Sequence, residues 1–195
     1  MRVISGVARG RPLRAVATTR PTADLIKGAI FSMLEALAYK RGFEPDDEGV
    51  MAAALAWPRV LDVFAGSGSL GIEALSRGAQ RAEFVEQDRQ AARAIEANLR
   101  STGLDERGHV HQGPIELMLR RLAAPVDLVL ADPPYSEREA LAATADLLSR
   151  SNLLLPSSVV VLEHAAEVDP PGLVGELPLH TGRTHGRTRV SMYAS

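Results

Sequence analysis

Apolar residues recur along this chain in two alternating rhythms. From Arg59 onward, short apolar runs appear at Val60-Leu61-Asp62-Val63-Phe64, Ala82-Glu83-Phe84-Val85, Asp127-Leu128-Val129-Leu130 and Val159-Val160-Val161-Leu162. Between them lie stretches with helical spacing, from about Gly71 and over 89–100, 115–122 and 138–148. A weaker run, His109-Val110-His111, falls between two of these helices, so five strand–helix units follow one another. Strands that alternate with helices build a parallel, doubly wound sheet. The tail breaks the rhythm, because 177–181 and 188–193 predict two strands around a turn at 182–186, an antiparallel edge hairpin. The expected fold class is α/β: a Rossmann-like, mainly parallel, seven-stranded sheet.

Residues 1–41 carry a different pattern. Val3, Ile4 and 13–16 flank a bend of Gly6, Arg9, Gly10 and Arg11, which predicts a short β-hairpin with an arginine-rich tip. Arg20-Pro21-Thr22 then stops the chain, and Leu25, Ile26, Ile30, Met33, Leu34 and Leu37 follow at helical spacing with Thr22 as its cap. We expect a basic hairpin-and-helix extension over 1–41, an acidic and alanine-rich connection over 42–58, and the main domain over 59–195. Trp57, among apolar neighbours, is expected in the core.

Composition narrows the class. A chain of 195 residues, 46% of them hydrophobic, can bury one substantial core but not two ordinary ones. The absence of cysteine excludes a disulfide framework and thiolate metal sites, which suits a reducing compartment, and we expect a cytoplasmic monomer. No apolar run approaches the roughly 18 residues of a membrane span. An organellar leader is disfavoured because Gly6, Gly10 and Pro12 interrupt any amphipathic helix at the arginine-rich start. The five histidines show no metal-ligand spacing, and no metal is expected.

Net charge is only −2, but its distribution is uneven. Residues 1–30 carry Arg2, Arg9, Arg11, Arg14, Arg20 and Lys27 against Asp24 alone, and 180–195 add Arg183, Arg187 and Arg189 with no acid. Two basic ends flanking an acidic body fit a protein that turns both ends toward a polyanion. Arg9, Arg11, Arg20, Arg183 and Arg187 are the candidate contacts for that polyanion.

The candidate chemistry sits at three places. Gly66-Ser67-Gly68-Ser69-Leu70-Gly71 fits G-x-G-x-x-G between a predicted strand and a helix, a bend that lets backbone approach a ligand closely. Alone, this pattern serves dinucleotides and S-adenosylmethionine equally, so Phe64, Ala65, Gly66, Ser67, Gly68 and Gly71 are cofactor candidates of either kind. Glu86, 15 residues beyond Gly71, ends the second strand, where a carboxylate can bind both ribose hydroxyls. Asp62 discriminates, because a carboxylate inside the first strand can meet a methionine ammonium and would repel a pyrophosphate; its other reading is a cap for loop amides.

The third place is Asp132-Pro133-Pro134-Tyr135, directly after the fourth strand, at the edge where ligand crevices of parallel sheets open. Two prolines stiffen the turn and remove two donors, leaving carbonyl acceptors. Asp132 and the Pro133 carbonyl can orient an exocyclic NH₂ group, and Tyr135 can stack a base held out of its helix. An adjacent carboxylate stabilises the cation that develops as nitrogen attacks a sulfonium methyl.

The segment 61–68 followed by Asp132-Pro133-Pro134-Tyr135 resembles the class I methyltransferases that act on amino groups. Val3-Ile4-Ser5-Gly6 with Arg9-Gly10-Arg11, then Arg20-Pro21-Thr22 and Asp24, together with Gly186-Arg187-Thr188 and Tyr193, narrows the resemblance. These motifs are similar to the bacterial family that methylates guanine N2 in small-subunit (16S) ribosomal RNA. The resemblance implies S-adenosylmethionine as cofactor and ribosomal RNA, or the assembling small subunit, as partner. The chain departs from that family at Leu25-Ile26-Lys27-Gly28 and at Gln112-Gly113-Pro114-Ile115, so Gln112, Gly113 and Ile115 are expected to meet adenine mainly through backbone and the Ile115 side chain. The tetrapeptide also suits adenine N6 in DNA. An NAD-dependent oxidoreductase and a non-catalytic RNA-binding module are the alternatives from other classes.

Overall fold

The computed structural model describes residues 1–15, 23–45, 50–133 and 138–195. Helices α1 (Ala23–Lys40) and α2 (Ala52–Ala56) precede β1 (Arg59–Val63), α3 (Ser69–Ser76), β2 (Arg81–Glu86), α4 (Arg89–Thr102) and β3 (Gly108–Gln112). Then come α5 (Ile115–Leu119), β4 (Val126–Ala131), α6 (Arg138–Ser149), β5 (Leu154–Ala165), β6 (Leu173–Val174), β7 (Leu177–His185) and β8 (Thr188–Tyr193). One sheet runs in the order β3-β2-β1-β4-β5-β8-β7-β6. The five strands β1 to β5 are parallel, and β8 pairs antiparallel with β5 and with β7.

The period-two alternation of each strand sorts its residues between two apolar layers. Val60, Phe84, Leu128, Leu130 and Val161 join one layer, with α1, α3 and α4. Leu61, Val63, Val85, Val129, Ala131 and Leu162 join the other, under α5 and α6. Both faces are therefore covered, which is why these strands read as nearly unbroken apolar runs. Asp62 takes a position on the first face that its strand neighbours fill with Phe84 and Leu130.

The amino-terminal segment belongs to the same core. Val3, Ala8 and Leu13 are buried with Ile26, Ile30, Met33, Leu34 and Leu37 of α1 against the first face. Leu25 is 62% exposed, because the buried set 26, 30, 33, 34 and 37 forms a stripe that position 25 precedes by about 100°. The expected hairpin is present in short form: Arg2 bridges Pro12, Val3 N–H donates to the Arg11 carbonyl at 3.0 Å, Gly10 N–H to the Val3 carbonyl at 2.9 Å and Leu13 N–H to the Met1 carbonyl at 3.2 Å, while the bend docks on α3 through Val7 N–H and the Ser76 carbonyl at 2.8 Å. The 50–58 stretch forms α2 and buries Ala52, Ala53, Ala54 and Trp57.

Two expectations about strands are corrected. Among the described residues the sheet has eight strands, the additional one being the two-residue β6, too short to leave an alternating signature. The glycine-rich tail is not a wide turn, as β7 continues to His185, which pairs with Thr188. Only Gly186-Arg187 turn the chain, with φ +61° at Gly186, the first central position of a two-residue hairpin loop, where glycine is favoured.

Candidate active site

Register places the candidate residues. Val63 pairs with Val85 on one side and with Ala131 on the other, so the next residues, Phe64, Glu86 and Asp132, stand at one level on the carboxyl edge. Strand order reverses between β1 and β4, the switch point where ligands of doubly wound sheets bind. The glycine bend leaves the edge on one side of that point and the Asp132-Pro133 turn on the other.

Phe64 holds φ +57°, a left-handed backbone uncommon for a non-glycine residue, and swings the chain off the sheet. Gly66 and Gly68 continue with φ +55° and +76°, and Gly68 enters α3 with no side-chain cap. The first amides of that helix therefore lie toward the edge, suited to an anionic group. Glu86 braces the bend: one oxygen accepts Gly66 N–H at 2.7 Å and the other Asp88 N–H at 2.8 Å. A carboxylate offers about four lone-pair sites, so hydroxyl donors can still be received.

Asp62 is 2% exposed and accepts Gly71 N–H at 2.8 Å. That bond realises the amide-capping reading for one of its oxygens. Gly71 has no alternative residue, since a Cβ there would lie 2.3 Å from the Phe84 ring and 3.1 Å from the Asp62 carboxylate. Burial drives the Asp62 carboxyl well above the ordinary aspartate range; the Gly71 bond opposes this, and the charges of Asp132 and Glu86 push it further up. The Asp62 carboxyl thus feels the charge of both neighbours at the switch point.

The remaining candidates distribute as follows. Gly113 N–H donates to the Glu86 carbonyl at 2.9 Å, which ties the loop after β3 beside Glu86, with Gln112 exposed and Ile115 buried at the start of α5. Asp132 is partly exposed and Pro133 buried; Pro134, Tyr135, Arg20 and the helix cap Thr22 lie outside the described residues. Exposed Arg187 sits in the β7–β8 turn and exposed Arg183 on β7. Because Ala165 pairs with Thr188, that turn projects from the same carboxyl edge. Exposed Arg9 and Arg11 stand elsewhere. Their loop docks on Ser76, the last residue of α3, and Arg11 donates to the Ser101 carbonyl near the end of α4 at 3.3 Å. Both helices run back from the edge, which puts this tip toward the opposite side of the sheet.

Sequence reasoning missed a buried charge network behind the bend. Glu73 is fully buried and receives Ile4 N–H at 2.8 Å, Ser5 N–H at 3.0 Å and Arg77 Nε at 2.9 Å. Lys27 Nζ, 1% exposed, lies 3.5 Å from Glu73 and donates to the Arg2 carbonyl at 2.6 Å and Ser69 Oγ at 3.1 Å. Burial lowers the Lys27 pKa, and Glu73 and Asp24 partly restore it. The Arg77 guanidinium lies over the Phe31 ring at 4.5 Å.

A family model described as conserved hypothetical protein 95 matches residues 1–194. The Bacillus subtilis protein YlbH, provisionally named an rRNA methyltransferase, is 37% identical over 99% of this chain and 98% of its own. The ribosomal RNA small subunit methyltransferase D of Haemophilus influenzae is 30% identical over 90% of this chain and 83% of its own. A solved Escherichia coli structure provisionally described as a methyltransferase superposes with a TM-score of 0.79, at 28% identity, over 99% of this chain and 96% of that one. These likenesses span the switch-point edge and the amino-terminal segment alike, and the chain belongs to the conserved hypothetical protein 95 family, with the methyltransferase fold of its relatives.

Proposed function

We propose that this chain transfers a methyl group from S-adenosylmethionine to the exocyclic N2 of a guanine in 16S ribosomal RNA, in the cytoplasm. The broader part, an S-adenosylmethionine-dependent RNA methyltransferase, is supported by relatives named as rRNA methyltransferases along nearly the whole chain. The observation that carries the reading is the meeting of Asp62, Asp132 and Glu86 at the switch point, where burial drives the Asp62 carboxyl upward and the charges of the other two add to it. Such a site favours a cationic ligand, and S-adenosylmethionine brings an ammonium and a sulfonium. A pyrophosphate would meet the same carboxylates as a repulsive field, which argues against a dinucleotide.

Residues fall into roles accordingly. Phe64, Ala65, Gly66, Ser67, Gly68 and Gly71 shape the bend that receives the methionine carboxylate. Asp62 offers negative charge toward the ammonium, Glu86 accepts the ribose hydroxyls, and Gln112, Gly113 and Ile115 flank the adenine. S-adenosylmethionine supplies an electrophilic methyl. Asp132 and the Pro133 carbonyl accept both N–H bonds of the guanine amine, so its lone pair points at the methyl carbon as the N–C bond forms and the S–C bond breaks. The Asp132 carboxylate then steadies the positive nitrogen until a proton leaves it. Pro134, Tyr135 and Arg20 lie outside the described residues and are assigned by sequence alone, the first two to the amine-binding turn and base stacking and the third to a phosphate. Arg183 and Arg187 hold phosphates near the edge, while Arg9 and Arg11 serve only an RNA large enough to extend past α3 and α4.

Incubation with methyl-labelled cofactor and 16S ribosomal RNA, followed by nucleoside analysis, is expected to put the label on N2-methylguanosine. Label on N6-methyladenine in DNA would transfer the assignment to that substrate. Binding of NAD, and not of S-adenosylhomocysteine, in calorimetry would end the methyltransferase reading.

Reversing charge at Arg9 and Arg11, or at Arg183 and Arg187, is expected to weaken RNA binding and to flatten its logarithmic salt dependence by roughly 1–2 units per pair. S-adenosylhomocysteine affinity should stay unchanged. RNA affinity equal to wild type in either double variant would remove that pair from the interface.

A further inference from the structure

Two buried side chains outside the glycine bend fasten it to the amino-terminal segment. Asn98 on α4 is 1% exposed and makes three bonds with its amide. Its Oδ1 accepts Arg14 N–H at 2.8 Å, and its Nδ2 donates to the Arg14 carbonyl at 3.1 Å and to the Ser67 carbonyl at 2.9 Å. Lys27 repeats the arrangement two residues further along the bend, joining the Arg2 carbonyl to Ser69 Oγ. One bridge grips each side of Gly68, the left-handed residue that aims the first amides of α3.

We infer that Asn98 and Lys27 are positioning residues of the glycine bend, latching it to the amino-terminal segment so that bend and segment hold one geometry. The inference rests on the reading of that bend as the S-adenosylmethionine site. Gly68 is pressed against α4, where an added Cβ would meet Ile95 at 3.0 Å, so packing fixes its depth. Local backbone bonds close the turn itself, Gly68 N–H to the Ala65 carbonyl at 2.7 Å and Ile72 N–H to the Gly68 carbonyl at 2.9 Å, but they do not tie it to the amino-terminal segment. The carbonyl held at Ser67 and the hydroxyl held at Ser69 supply that tie before a ligand arrives, which favours binding by lowering the ordering cost. Neither residue is placed to touch a ligand, so the effect belongs to cofactor affinity and not to the chemical step.

The experiment compares wild type with Asn98→Ala, Ser69→Ala and, as a control, Tyr193→Phe. Tyr193→Phe removes only the bond from Tyr193 Oη to the Pro171 carbonyl, 2.9 Å long and in a strand remote from the bend. Calorimetry with S-adenosylhomocysteine, thermal unfolding without ligand, and steady-state turnover are read on each. Asn98→Ala should weaken S-adenosylhomocysteine by about tenfold and raise KM for S-adenosylmethionine alike, with kcat at saturation within about twofold of wild type. Ser69→Ala should weaken it about threefold with little change in melting temperature, and carries the test if Asn98→Ala does not fold. The control should lose melting temperature while keeping wild-type affinity. Wild-type affinity in Asn98→Ala or Ser69→Ala, or equal weakening in Tyr193→Phe, overturns the latch. Failure of the wild type itself to bind S-adenosylhomocysteine would instead overturn the cofactor reading beneath it.

Discussion

Asp132→Ala is expected to lose methyl transfer by about 10²- to 10³-fold while binding S-adenosylhomocysteine as tightly as wild type. The substitution removes the carboxylate that faces the amine and stabilises its developing charge, yet leaves the glycine bend, Glu86 and the bond from Gly71 to Asp62 in place. Asp132→Asn keeps an acceptor without the charge and should fall between the two. Both changes also withdraw one of the charges that raise the Asp62 pKa, so the Asp62 carboxyl should titrate lower than in wild type. Single-turnover rates with labelled cofactor, beside calorimetry on the same preparations, are the measurement. Full turnover in Asp132→Ala would refute the role, and loss of cofactor binding in step with turnover would make Asp132 part of the cofactor site.

Glu73→Ala should be the most destabilising single change in the described structure, by about 3–5 kcal/mol. It takes from Arg77 its carboxylate partner, leaves the buried Lys27 with Asp24 at 3.7 Å in place of Glu73, and strips two backbone donors, Ile4 and Ser5 N–H, of their acceptor. For a chain of this size that corresponds to a melting temperature lower by roughly 6–20 °C. The deficit should depend on pH with a definite sign. Lys27 already titrates below its usual value in the folded protein because of burial, and losing Glu73 removes the largest influence that raises it. The folded variant then binds fewer protons at Lys27 than its unfolded chain, so its stability rises with pH. Thermal unfolding at pH 7 and pH 9 should show the gap from wild type narrowing at the higher pH. A gap that is constant or widens would mean that Lys27 is not the stranded charge.

The parts of this architecture that were legible in the sequence are those written in local periodicity. The runs at β1, β4 and β5 could be read because each strand is covered on both faces, and the polar interruption at Asp62 stood out against them. The glycine bend was legible for a related reason, since glycine carries backbone geometry in its own covalent structure. Contacts between distant residues were not legible. Glu73 looks like an ordinary helix carboxylate, and nothing near it in sequence announces that Ile4 and Ser5 will approach from 69 and 68 positions away. Asn98 meets Arg14 across 84 positions. The same blindness applied to the basic residues: charge asymmetry marked Arg9, Arg11, Arg183 and Arg187 as a group, whereas topology divides them between opposite sides of the sheet. The amino-terminal hairpin was legible from its glycines and flanking apolar residues, but the docking of its bend on α3, where Val7 N–H meets the Ser76 carbonyl, was not.

The docking of the first fifteen residues onto α3 and α4 bears on how the chain is made. A ribosome releases those residues ahead of α3 and α4, and their acceptors at Ser76 and Asn98 are synthesised seconds later. Val3, Ala8 and Leu13 must therefore wait in solvent or in a chaperone's grip until α4 has emerged, and closure across such long separations slows folding. The clamp that joins the two ends of this stretch cannot close until a nascent chain has delivered both α3 and α4.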